Sequence, residues 1–91
     1  MKIRIEKSFD RDVDKIRDKK LLTKLRNLVS VIEEAQSIHN IPHGKKIQGY
    51  ESFYRIKIGD YRLGVEEVSR QEVVLIRFLH RKDIYRYFPR K

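Results

Sequence analysis

The amino-acid sequence predicts an α+β domain in which two N-terminal helices pack on one face of a small antiparallel sheet. The predicted order is β-α-α-β-β-β with a short C-terminal helical turn, in one domain spanning residues 1–91. Three observations predict it. KIRIE (2–6) alternates apolar and charged residues, as a half-buried strand does. Leu21, Leu25, Leu28, Ile32 and Ala35 recur at helical spacing. Three strand-like runs then fill the second half: FYRIKI (53–58), YRLGVEEV (61–68) and EVVLIRFL (72–79).

Each element has a local reason. Ile3 and Ile5 point inward from the first strand. Ser8 is placed to cap a helix whose first turn holds Asp10 and Asp12 at the positive end of the dipole. Phe9, Val13 and Ile16 give that helix its apolar stripe. A break at Asp18 to Lys20 precedes the leucine-rich helix, where Leu22 and Val29 widen the buried stripe. HNIPHG (39–44) reads as the loop that ends the helical half. Gly59 and Asp60 form a two-residue hairpin turn, which pairs Ile58 with Tyr61, Lys57 with Arg62, Ile56 with Leu63 and Arg55 with Gly64.

Composition narrows the function classes. The chain has 91 residues and no cysteine, so it is one small core without disulfides or thiolate metal sites. No run approaches the ~18 apolar residues of a membrane span, and MKIRIEKSF has no apolar signal region, so a soluble cytoplasmic protein is expected. Lysine plus arginine number 22 against 13 acidic residues, a net charge of +9. That excess favours a polyanionic partner, nucleic acid first. His39 and His43 have no carboxylate at metal-ligand spacing and are expected to be structural; no metal or cofactor is implied.

The hairpin register collects the charge. Tyr54, Ile56, Ile58, Tyr61, Leu63 and Val65 are expected to face the helices, leaving Arg55, Lys57 and Arg62 on the open face. Gly64 beside them should leave a hollow where a ligand reaches the backbone. If Val74, Ile76 and Phe78 also face the helices, Arg77 and Arg81 join the open face. Val73 and Leu75 are then exposed there too, as contacts for a covering protein. Three cations around a glycine form an anion site, because their repulsion calls for a compensating ligand.

YRIKIGDYRLGVEEV followed by VVLIRFLHRKDIYRYF, behind two basic helices, resembles the RelE/ParE superfamily of type II toxin–antitoxin toxins, and the RelE branch more than the ParE branch. The resemblance covers almost the whole chain. It implies a ribosome-dependent, metal-independent mRNA endonuclease that acts in the decoding site, inhibits translation, and is silenced by a cognate antitoxin. It implies no membrane and no small-molecule ligand. The branch's active positions fall on Arg55, Lys57, Arg62, His80, Arg81 and Tyr85; apart from the resemblance, Arg77 on the open face and Lys82 are also expected to contact RNA. Two departures are visible. Arg55 stands where lysine is common, and a guanidinium is a poor base. Leu79 stands where glycine commonly precedes the basic pair.

The chemistry also follows from residue type. Metal-free RNA cleavage needs the 2′-OH deprotonated, the phosphorane charge stabilised and the 5′-oxygen protonated. Arg62 and Arg81 suit the phosphorane as forked donors. His80 suits acid or base work, because histidine titrates near neutrality. Lys57, beside two other cations, is a rival base. Tyr85 could stack on a nucleobase or orient a phosphate oxygen, with Tyr87 as its competitor for the catalytic phenol, while Ile84 and Phe88 anchor the last turn. Two other functions compete: a non-enzymatic ParE-like toxin inhibiting DNA gyrase, and a basic RNA-binding module without toxicity. The second would be expected to display more aromatic platforms on the open face.

Overall fold

The computed structural model describes residues 1–89. Strand β1 (Lys2–Ile5) leads into α1 (Lys7–Asp14) and α2 (Lys19–Glu34), then a 3-10 turn (Ile38–Asn40). Strands β2 (Gly44–Lys46), β3 (Phe53–Ile58), β4 (Tyr61–Ser69) and β5 (Glu72–His80) follow, and α3 (Ile84–Tyr87) closes the described chain. The α+β class and the two-helix layer are as the sequence predicts. The sheet order is β1-β5-β4-β3-β2, and β1 runs parallel to β5 while the other pairs are antiparallel. Strand β2 is not among the predicted elements, and the expected loop (39–44) overlaps it only at Gly44. It is a three-residue edge strand, too short for alternation to announce it.

The helices start differently from one another. Asp18 caps α2, its carboxylate accepting from the amides of Lys20 and Leu21 at 3.0 and 3.2 Å. Ser8 does not cap α1, whose N-cap is Glu6. The Ser8 hydroxyl donates instead to the Ile76 carbonyl at 2.6 Å, tying α1 to β5. Leu25 and Ile32 of α2 are buried against the sheet with Leu63, Val65 and Phe78, each such burial contributing about 1.5–3 kcal/mol.

The hairpin register agrees with expectation at Ile58, Lys57, Ile56 and Arg55. The third strand does not. Pairing skips Val68 on β4 and Ile76 on β5, and each extra residue reverses the alternation. Val73 and Leu75 therefore turn toward the helices and are fully buried, which removes them as exposed antitoxin contacts. Phe78 faces the helices as expected. Ile76 goes the other way and packs with Leu79 under a second apolar cluster of Ile47, Phe53, Ile84 and Phe88. Both faces of β5 are thus covered, and its near-continuous apolar run records that.

Candidate functional site

The face opposite the helices carries two rows of side chains. One row reads Lys57, Arg62, Leu79 across β3, β4 and β5. The other reads Lys45, Arg55, Gly64, Arg77 across β2 to β5. Lys45 was not among the residues singled out in the sequence, because only the pairing of β2 with β3 brings it opposite Arg55.

The second row is not an open anion hollow. A Cβ built on Gly64 would meet the Phe88 ring at 2.8 Å, so the space above the glycine is filled by the chain itself. Glycine is needed there to admit Phe88, which meets Phe53 edge to face at 5.6 Å. Ile84 and Phe88 are the anchors that the sequence suggested, and both are buried.

Arg77 is engaged rather than displayed. Its Nε and Nη2 donate to the two oxygens of Asp12 at 2.8 and 2.9 Å. Asp12 also accepts from the Phe78 amide at 2.9 Å, which satisfies an N–H of β5 beyond the reach of β1. The Asp12 side chain is 4% exposed and that of Arg77 24%. The Asp12 hydrogen bond drives the Arg77 pKa above its already high ordinary value, against the opposing effect of burial. The guanidinium also lies 5.4 Å from the Tyr87 ring centroid, so one residue links α1, β5 and α3. Asp12 was expected at a helix start. It is a buried structural acid.

The first row gathers the remaining candidates at the hairpin end. Arg62 curls over its turn, Nη1 donating to the carbonyls of Gly59 and Tyr61, both at 3.0 Å. Gly59 has a φ of +55°, which glycine adopts without strain and which aims that carbonyl. Of the five N–H groups a guanidinium carries, these bonds use two, leaving Nε–H and both Nη2–H groups for a ligand. Arg81 arrives from the end of β5. Its amide donates to the Asp60 carbonyl at 2.7 Å, and its Nε lies 3.7 Å from the Asp60 carboxylate. That exposed ion pair contributes little, but the backbone bond fixes where residue 81 leaves the sheet. Asp60 is a second residue the sequence reading passed over, taken there only as part of a turn.

Beyond Arg81 the chain turns and enters α3. Lys57, Arg81, Lys82 and Tyr85 are exposed, and Arg55 and Arg62 are partly buried. His80 lies across from Tyr61, which places its ring on the helix-side face and not with Arg62. A cleft of about 460 Å³ between α1 and the end of β5 is lined by His80, Tyr61, Arg77, Asp83 and Tyr87 among others. A larger one of about 890 Å³, around Gln36, Arg70 and Glu72, contains none of these candidates. Among the described residues no three His, Asp or Glu side chains converge as metal ligands would, and no helix is long and apolar enough to cross a membrane.

The chain has recognisable relatives. A family model, the ParE toxin of a type II toxin–antitoxin system, matches residues 3–85. Toxin RelE3 of Methanocaldococcus jannaschii is 33% identical over 90 residues, covering 98% of this chain and 100% of that one. The fold is similar to that in the RelB–RelE antitoxin–toxin complex from Methanococcus jannaschii, with a TM-score of 0.78 and 31% identity over 94% of this chain and 99% of that one. The toxin–antitoxin complex RelBE2 of Mycobacterium tuberculosis shares the fold at a TM-score of 0.54 and 24% identity, over 87% of this chain and 95% of that one.

Proposed function

Because the chain belongs to the RelE/ParE family of type II toxin–antitoxin toxins, we propose that it is an mRNA endonuclease acting on message in the ribosomal decoding site without a metal ion. The observation that carries this reading is the meeting of Lys57, Arg62 and Arg81 around one hairpin turn, with the exposed Tyr85 on the next element. In the proposed reaction the 2′-OH loses its proton, O2′ bonds to phosphorus, and the P–O5′ bond breaks. The products are a 2′,3′-cyclic phosphate and a 5′-OH. Arg62 and Arg81 hold the charge that builds on the phosphorane, Lys57 takes the 2′-OH proton, and the departing O5′ takes a proton from solvent water. Tyr85 offers a stacking surface to a splayed base. Arg55, Lys45 and Lys82 bind backbone phosphate. Arg77, committed to Asp12, is left out of the RNA contacts.

A cognate antitoxin is the proposed protein partner, with acidic side chains meeting the basic hairpin end. The test is a translation assay in which mRNA ends are mapped with and without ribosomes, in the presence of a chelator. Cleavage at discrete positions only when ribosomes are present supports the reading; intact message in the presence of ribosomes and folded protein refutes it. The family model is described as a ParE toxin, which favours one second reading, inhibition of DNA gyrase without catalysis. Blocked supercoiling with undisturbed translation would favour that one.

A further inference from the structure

We propose that His80 is a positioning residue that folds the turn presenting Arg81, and not a proton-transfer group; the inference rests on the nuclease reading above. His80 Nδ1 accepts the Lys82 amide hydrogen at 3.1 Å, and its backbone carbonyl accepts from the Asp83 amide at 2.8 Å. One residue thus satisfies two successive amides of the turn between β5 and α3. The same ring is held from the other side, meeting Tyr61 edge-on at 5.6 Å and 75°. Tyr61 in turn stacks on the buried Phe78 at 5.1 Å. Arg81, the residue inside this turn, is pinned through its amide to Asp60.

The hydrogen-bond chemistry decides the role. A ring nitrogen that accepts an amide hydrogen carries no proton, so the neutral ring is the Nε2–H form. Nε2 is then a donor and cannot take a proton, while Nδ1 can take one only by releasing Lys82 and opening the turn. An imidazole committed in this way does what an asparagine side chain does in an Asx-turn, reaching the amide two residues on. The sequence placed an imidazole beside the cations. In the fold that group is the brace that aims one of them.

The experiment compares parent, His80→Ala and His80→Asn in single-turnover cleavage on programmed ribosomes, each shown folded by thermal melting. Expected is a kcat lowered about 10- to 100-fold in His80→Ala, as for a misplaced group, with KM little changed. His80→Asn, which keeps the acceptor, restores the parent rate. In an Arg81→Ala background His80→Ala adds little further loss, because it acts through Arg81. Nitrogen NMR of the parent should show Nε2–H as the neutral tautomer. An asparagine variant as slow as the alanine variant, an alanine variant as fast as parent, full additivity with Arg81→Ala, or an Nδ1–H tautomer each overturns the proposal. If the parent itself leaves ribosome-bound message intact, the nuclease reading fails. The tautomer and the exchange protection of the Lys82 amide then still decide whether His80 braces the turn.

Discussion

Removing the Asp12 carboxylate tests whether the basic face is held in place from the helical side. In Asp12→Ala three hydrogen bonds disappear together: those from Arg77 Nε, Arg77 Nη2 and the Phe78 amide, at 2.8, 2.9 and 2.9 Å. Breaking a buried pair by deleting one partner costs about 3–5 kcal/mol, because the other charge stays behind. Arg77 is 24% exposed and can partly rehydrate, which argues for the lower end, about 3 kcal/mol. The orphaned Phe78 amide keeps the figure from falling further, since a buried unsatisfied donor costs about 1–3 kcal/mol. A loss of about 3 kcal/mol lowers the melting temperature of a domain this size by roughly 12–24 °C. Urea unfolding of Asp12→Ala, Arg77→Ala and the double variant measures it, and the cycle should give a coupling of about 0.5–3 kcal/mol. Hydrogen exchange at Phe78 should accelerate in Asp12→Ala. A destabilisation under about 1 kcal/mol, the size of an ordinary surface change, would refute the clamp.

Three further outcomes are expected. Arg62→Ala should slow cleavage about 100- to 1000-fold if its guanidinium acts like an oxyanion donor. From sequence alone its loss should relieve repulsion with Lys57, but its two carbonyl bonds reverse that sign, and urea unfolding should show a loss of roughly 1 kcal/mol. Gly64→Ala forces its Cβ against Phe88, which should cost about 1–3 kcal/mol in the same assay and loosen α3; Gly64→Ala combined with Phe88→Leu should recover part of that. Burial, and then the charge of Glu67, raise the Tyr54 pKa above its ordinary 10.0, so its contribution to stability is complete below that value and is lost as pH rises through the higher folded one. Thermal melts should accordingly show the parent losing more stability above pH 10.0 than Tyr54→Phe does; equal losses would count against it.

What the sequence disclosed is what local rules control. Helical spacing located α2, a two-residue turn fixed the register of β3 on β4, and both follow from residues within a few positions of each other. Strand β2 escaped because three residues are too few to show a period. The facing of β5 escaped for a different reason. Val73, Val74, Leu75 and Ile76 are all apolar, so either parity satisfies the pattern, and only the extra residues Val68 and Ile76 decide which side chains meet the helices.

The site was legible as a set of residue types and not as a set of partners. Lys57 lies opposite Arg62 on the hairpin, and the Arg81 amide bonds to the Asp60 carbonyl of its turn. Arg77 has the same parity as Arg55 and the same residue type as Arg62, yet a carboxylate 65 positions earlier claims it. Nothing near Arg77 announces that acid, because Asp12 in its own helix looks like a dipole partner. Gly64 was misread by the same kind of distance: a glycine flanked by cations suggests room for a ligand, and Phe88 occupies the room. Each cation's exposure is therefore set by long-range packing. The two rows consequently differ: in the hairpin row Arg62 keeps three N–H groups beyond its two carbonyl bonds, whereas in the Gly64 row Arg77 and the space over the glycine serve the fold.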